Sequence, residues 1–206
     1  MIELITSPQK AFSSTVRGKP NPLAGFLVAG LALFLLALAK QVAMRTLPAA
    51  ATLTLRVPVW VIAPTVGFFG ALFLWGALTF GLSLVLGDSA RTAQLVGWAF
   101  VPFVILGLVE VLVAAWWPAR VQAPPHPEGL IQVLLWSAEV QTLAQKSLTF
   151  RIFTVMELVA VFWGSYLLWV ALKVWRPHKA VVGAAVFGTF MLGFWLLRNL
   201  PSLGWV

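Results

Sequence analysis

The chain has 206 residues, 61% of them hydrophobic and 10% charged, with a formal net charge of +8. A soluble domain carries about a quarter charged residues, and a core of this size cannot hide so many apolar side chains from water, so the composition calls for a bilayer. The lack of cysteine excludes disulfides, thiolate catalysis and Cys-ligated metal centres, and no basic run is interleaved with aromatics in the way a nucleic-acid groove requires.

In chain order, the N-terminal stretch TSPQKAFSSTVRGKPNP offers Ser7 as N-cap and Pro8 as first helical residue. Phe12 and Val16 share one face while Lys10 and Arg17 lie elsewhere, which predicts a short basic interfacial helix over 8–17, lying on the membrane. The first span is expected over 23–44, with Lys40 snorkelling towards the interface. From Val57 to Leu86 there is no charge, and the run is too long for one crossing. Pro58 and Pro64 divide it: VPVWVIA is expected to be a bent lead-in, and Pro64 to open a span over 64–86.

The stretch GDSAR follows. Gly87 suits a left-handed helix C-cap, Asp88 or Ser89 the next N-cap, and Arg91 a contact with headgroup phosphates. A tight antiparallel hairpin therefore joins the second span to a third over 92–117. Inside it Pro102 removes a ladder hydrogen bond and predicts a kink between Gly97 and Val101.

VQAPPHPE reads as a Pro-rich linker. Over 129–148, Val133, Trp136, Val140 and Leu143 recur at helical spacing opposite Gln132, Glu139, Thr142 and Lys146. This predicts an amphipathic interfacial helix between spans three and four. The fourth and fifth spans are expected over 152–172 and 180–198. The fold class is thus an all-α integral membrane protein, one membrane domain over 1–206 with five transmembrane helices and two interfacial ones. Small residues at Ala77/Gly81, Ala184/Gly188 and Thr189/Gly193 offer close helix approach.

Two acids fall within spans, Glu110 and Glu157, and the antiparallel arrangement puts them under the same interface as Arg56, Arg120, Arg151 and Arg198. One reading is a proton or ion site of paired carboxylates in a small transporter or permeation subunit. The other is a structural ion-pair network of Glu110 and Glu157 with Arg56, Arg151 or Arg198. It carries more weight, since both acids lie only about 8–10 Å below the interface at the helical rise. No nucleophile elbow, HExxH or phosphate loop is present, so no catalytic, metal or cofactor site is expected. His126 and His178 stand in Pro-flanked loops.

Membrane lipids are the expected partners, their anionic headgroups met by Lys10, Arg17, Lys19, Lys173, Arg176 and Lys179. Counting Lys and Arg on the two sides gives a tie. The dense cluster KVWRPHK tips it towards a cytoplasmic N-terminus.

Three features together resemble the Yip family, five-span membrane proteins named for interaction with Ypt/Rab GTPases, and especially its short bacterial members. They are SPQKAF…KPNP before the first span, the hairpin LFLWGALTFGLSLVLGDSARTAQLVGWAFVPF, and five spans over nearly the whole chain. Gly97, Trp98 and Pro102 stand where that family has its Gly-Tyr…Pro signature. The resemblance implies a non-enzymatic protein of the bacterial cytoplasmic membrane, with its N-terminus inside, that organises membrane or binds a partner protein. The long N-terminal region and the Asp-Leu-Tyr-Gly-Pro motif of the vesicle-traffic relatives have no counterpart here, so a Rab-type partner is not implied.

Overall fold

The computed structural model describes residues 6–44, 59–120, 139 and 142–199, with the backbone alone for 59–67 and 198. Among them the structure is helical with no strand: α1 (Pro8–Arg17), α2 (Pro22–Ala43), α3 (Val59–Leu86), α4 (Ser89–Trp98), α5 (Val101–Trp116), α6 (Leu148–Trp175) and α7 (Ala180–Asn199). Five segments are long and apolar enough to cross a membrane: Pro22–Ala43, Phe68–Leu86, Ser89–Trp116, Leu148–Trp175 and Pro177–Leu197. The chain is a multi-pass, all-α membrane protein.

The helix ends follow local chemistry. Asn21 caps α2, its side chain accepting from the Ala24 N–H at 3.1 Å, with Pro22 next, where its missing N–H costs nothing. Gly87 has φ +88°, a left-handed conformation that a side chain would strain, and its N–H donates to Ser83 O at 2.8 Å. Of the two expected caps for the third span it is Asp88 that serves, accepting from the Arg91 N–H at 2.9 Å. The cap starts α4 at Ser89, earlier than the expected 92. Ala99 and Phe100 then break the span: the Phe100 N–H bonds Gly97 O at 3.0 Å, one residue tighter than an α-helical bond, and Pro102 cannot donate to Trp98 O.

Three further expected boundaries change. Pro64 does not open the second span, because α3 begins at Val59 and carries Pro64 inside it. A proline that close to a helix start forfeits only one ladder bond. The fourth span runs Leu148–Trp175, not 152–172. Polar Thr149 is accommodated by donating its hydroxyl to Trp117 O at 3.0 Å, and Arg151 is exposed. Most of the helix expected over 129–148 lies outside the described residues. Thr142–Gln145 are helical, but a turn at Lys146–Ser147 ends the segment before Leu148, which belongs to α6.

α2 is the hub, packed on α3, α4 and α5, while α6 packs on α5 and α7. Its inward face is mostly small: Gly25, Ala29, Gly30, Ala32, Ala39 and Ala43 are buried with Leu33, Leu35 and Leu36. Leu23, Leu27, Leu31 and Phe34 face outwards. Lipid solvates leucine as well as a protein core does, so the face that permits closest helix approach turns inward.

The approaches follow. A Cβ on Gly97 would lie 2.1 Å from Gly25 Cα, so α2 and α4 cross backbone to backbone. Gly107 of α5 meets Leu35, and Gly164 of α6 meets the Ala99 carbonyl at the kink. Of the small-residue pairs singled out in the sequence, Ala184/Gly188 makes an approach, with Gly188 against Ser165. Gly81 and Gly193 have open space around them.

Candidate polar sites at the two ends of the bundle

Polar side chains gather at opposite ends of the helices. One end is formed by the C-terminal part of α2, the N-terminal part of α6 and the end of α7. Glu157, 3% exposed, projects from α6. Lys40 Nζ of α2 stands 3.1 Å from Glu157 Oε1, and Asn199 Nδ2 of α7 donates to Glu157 Oε2 at 3.1 Å. Asn199 also donates to Trp195 O at 2.9 Å, and Thr154 Oγ1 lies 3.4 Å from Asn199 Oδ1. Trp195 Nε1 donates to Thr154 O at 3.1 Å. Three spans are therefore tied by one chain of polar contacts, with the long apolar stem of Lys40 carrying its ammonium to the carboxylate.

Glu110 is fully buried on α5. It shares a face with Gly107, which meets Leu35, and with Ala114, which clusters with Ala39 and Ala43. That face packs against α2, so the two membrane acids converge on the C-terminal part of one helix. Of the expected arginines only Arg151 has a described side chain. Arg151 is exposed on α6, the Arg198 side chain and Arg56 lie outside what is described, and Lys40 takes the place beside Glu157. Lys40 was legible only as a snorkelling end residue; nothing in its spacing points to Glu157. The space next to Glu157, bounded by Leu36, Phe103, Val161, Met191 and Trp195 among others, is about 10 Å³, the threshold for a single water.

The other end holds α1, the Gly87–Asp88 turn and the Pro177–Lys179 turn. α1 is anchored to the bundle rather than simply lying on the membrane, with Phe12, 1% exposed, packed where α1 meets α6. Arg91, expected to reach headgroup phosphates, turns inward: Nη1 donates to Thr15 O at 2.8 Å and Nη2 to Gly18 O at 2.7 Å. Lys179 Nζ donates to Val85 O. Both cations thus satisfy carbonyls at helix C-termini, where the orphan acceptors and the helix dipole favour positive charge. Asn21 N–H donates to Gln94 Oε1 at 3.2 Å, joining the start of α2 to α4. Lys10, Arg17, Lys19, Lys173 and Arg176 remain exposed, Lys173 lying 4.9 Å from the Trp169 ring centroid and Arg176 5.4 Å from that of Trp175. Among the described residues no three His, Asp or Glu side chains come together as a metal site would need.

Compared with known families, residues 2–197 match the model described as Yip1 domain. Searches of the curated proteins and of the solved structures found no match.

Proposed function

The chain belongs to the Yip1 domain family, and from that premise we propose that it is a non-enzymatic organiser of the bacterial cytoplasmic membrane, binding lipid and a protein partner through its basic end. Its N-terminus is then cytoplasmic, together with the turns at Asp88 and Pro177. Lys10, Arg17, Lys19, Lys173 and Arg176 face the anionic inner leaflet, while Lys179, expected among them, is held by Val85 O. The observation that carries this reading against transport is the state of Glu157: Lys40 and Asn199 already engage its two oxygens, and the space beside it is no larger than about one water. A carboxylate so occupied serves helix packing, because a translocation site needs a hydrated path to both faces.

The test is flux. Purified protein reconstituted into vesicles with a pH gradient should pass no protons or small cations above protein-free vesicles. A pH-driven flux abolished by Glu110→Gln or Glu157→Gln, in a protein that melts normally, would replace the organiser with the transporter.

A further inference from the structure

Between α1 and the C-terminal part of α6 runs a groove of about 760 Å³. Its upper wall is polar, with Gln9, Lys10 and Ser13 from α1 facing Lys173 from α6. Further back along α6 the wall is formed by Tyr166, Trp169 and Val170. Tyr166, Trp169 and Lys173 lie on one face of α6 at helical spacing, with the Tyr166 and Trp169 rings 6.0 Å apart. From Lys173 back to Tyr166 is roughly 10 Å along the helix axis, about the distance from headgroup level into the upper acyl region. Among the described residues no carboxylate lines the groove. Its shape is held from outside, by Phe12 buried where α1 meets α6 and by the two bonds from Arg91 to the end of α1, so little ordering is left for a ligand to bear.

We propose that this groove is a specific site for one anionic glycerophospholipid, its phosphate between Lys10 and Lys173 and its upper acyl chain along Tyr166 and Trp169. Charge selects the occupant: two ammonium groups, Lys10 and Lys173, line the groove and match an anionic headgroup, and the apolar floor beneath them matches a lipid rather than a soluble phosphate. The proposal rests on the basic end facing lipid as read above, and sharpens it from a charged face to one saturable position.

The test uses the full chain, delipidated in mild detergent, with native mass spectrometry counting retained phosphatidylglycerol or phosphatidylcholine during titration. Wild type should hold one phosphatidylglycerol saturably and discriminate against phosphatidylcholine. The pair Lys10→Gln/Lys173→Gln should bind it roughly 30-fold more weakly, the attraction expected of two lysines at an anionic surface. Arg17→Gln/Lys19→Gln removes the same charge from the same end but off the groove, and should weaken the saturable position clearly less than the groove pair, by no more than about fivefold. Lys10→Gln alone, an exposed change, should lose about fivefold and guards against misfolding of the pair. Equal losses for the two pairs would overturn the groove while leaving the basic face intact. Wild type indifferent to phosphatidylglycerol would overturn both. Competition by free glycerol phosphate at equal potency would overturn the lipid as occupant.

Discussion

Placing a methyl group at Gly97 should separate two spans. Its Cβ would stand 2.1 Å from Gly25 Cα, 2.2 Å from its carbonyl oxygen and 2.3 Å from its carbonyl carbon. Carbon atoms in good contact sit about 3.5–4.0 Å apart, so α2 and α4 would have to part by more than about 1 Å. Nothing flexible can give way, because every atom in the path is backbone. The displacement would also strain the Trp75 Nε1 bond to Ala93 O at 3.0 Å and the Asn21 to Gln94 bond at 3.2 Å, which join α4 to α3 and to the start of α2. Overpacking usually costs about 1–3 kcal/mol, and a backbone clash belongs at the upper end, about 3 kcal/mol. For a chain of this size that is a fall in melting temperature of roughly 6–12 °C. Gly76→Ala is the matched control: Gly76 sits in α3 with nothing near its would-be Cβ, and alanine there should be neutral or gain up to about 1 kcal/mol from helix propensity. The assay is thermal unfolding in detergent followed by tryptophan fluorescence. Equal melting of Gly97→Ala and Gly76→Ala would refute a backbone crossing at Gly25.

The hairpin gives a second expectation. Gly87→Ala should cost about 1–2 kcal/mol for its positive φ, and Gly87→Val more. Asp88→Ala should cost about 1 kcal/mol and Ser89→Ala little, since Asp88 is the cap; chemical unfolding of the three would order them. Lys40→Met removes the cation 3.1 Å from Glu157 and should cost about 3 kcal/mol. Adding Glu157→Gln to it should recover part of the lost melting temperature, and simple additivity of the two would argue against the pair. Arg91→Gln removes the guanidinium held by Thr15 O and Gly18 O. It should speed proteolysis and amide exchange within 8–18 while leaving the spans protected; unchanged exchange there would mean that Phe12 alone anchors α1.

What the sequence by itself determined is what local physics decides. Hydrocarbon thickness and apolar run length set five crossings at the expected places. Gly87, Asp88 and Pro102 mark a left-handed turn, a cap and a kink through backbone conformation and hydrogen-bonding capacity within a few residues. Where local rules compete, the reading slipped: Pro64 can open a helix or sit inside its early turns, and the longer helix prevailed because only one bond is forfeited. Which way each span faces was left to tertiary structure. In lipid an apolar side chain is at home on either side, so α2 has no hydrophobic face to read, and packing selects Gly25, Ala29 and Ala32 over Leu27 and Leu31. The Gly25–Gly97 crossing, the Lys40–Glu157 pair and the grip of Arg91 on α1 each join residues far apart in the chain. Several cations sit at the right end for each acid, and charge acts over distance without regard to sequence spacing. Only the packed helices decide that Lys40 reaches Glu157 and that Arg91 turns inward.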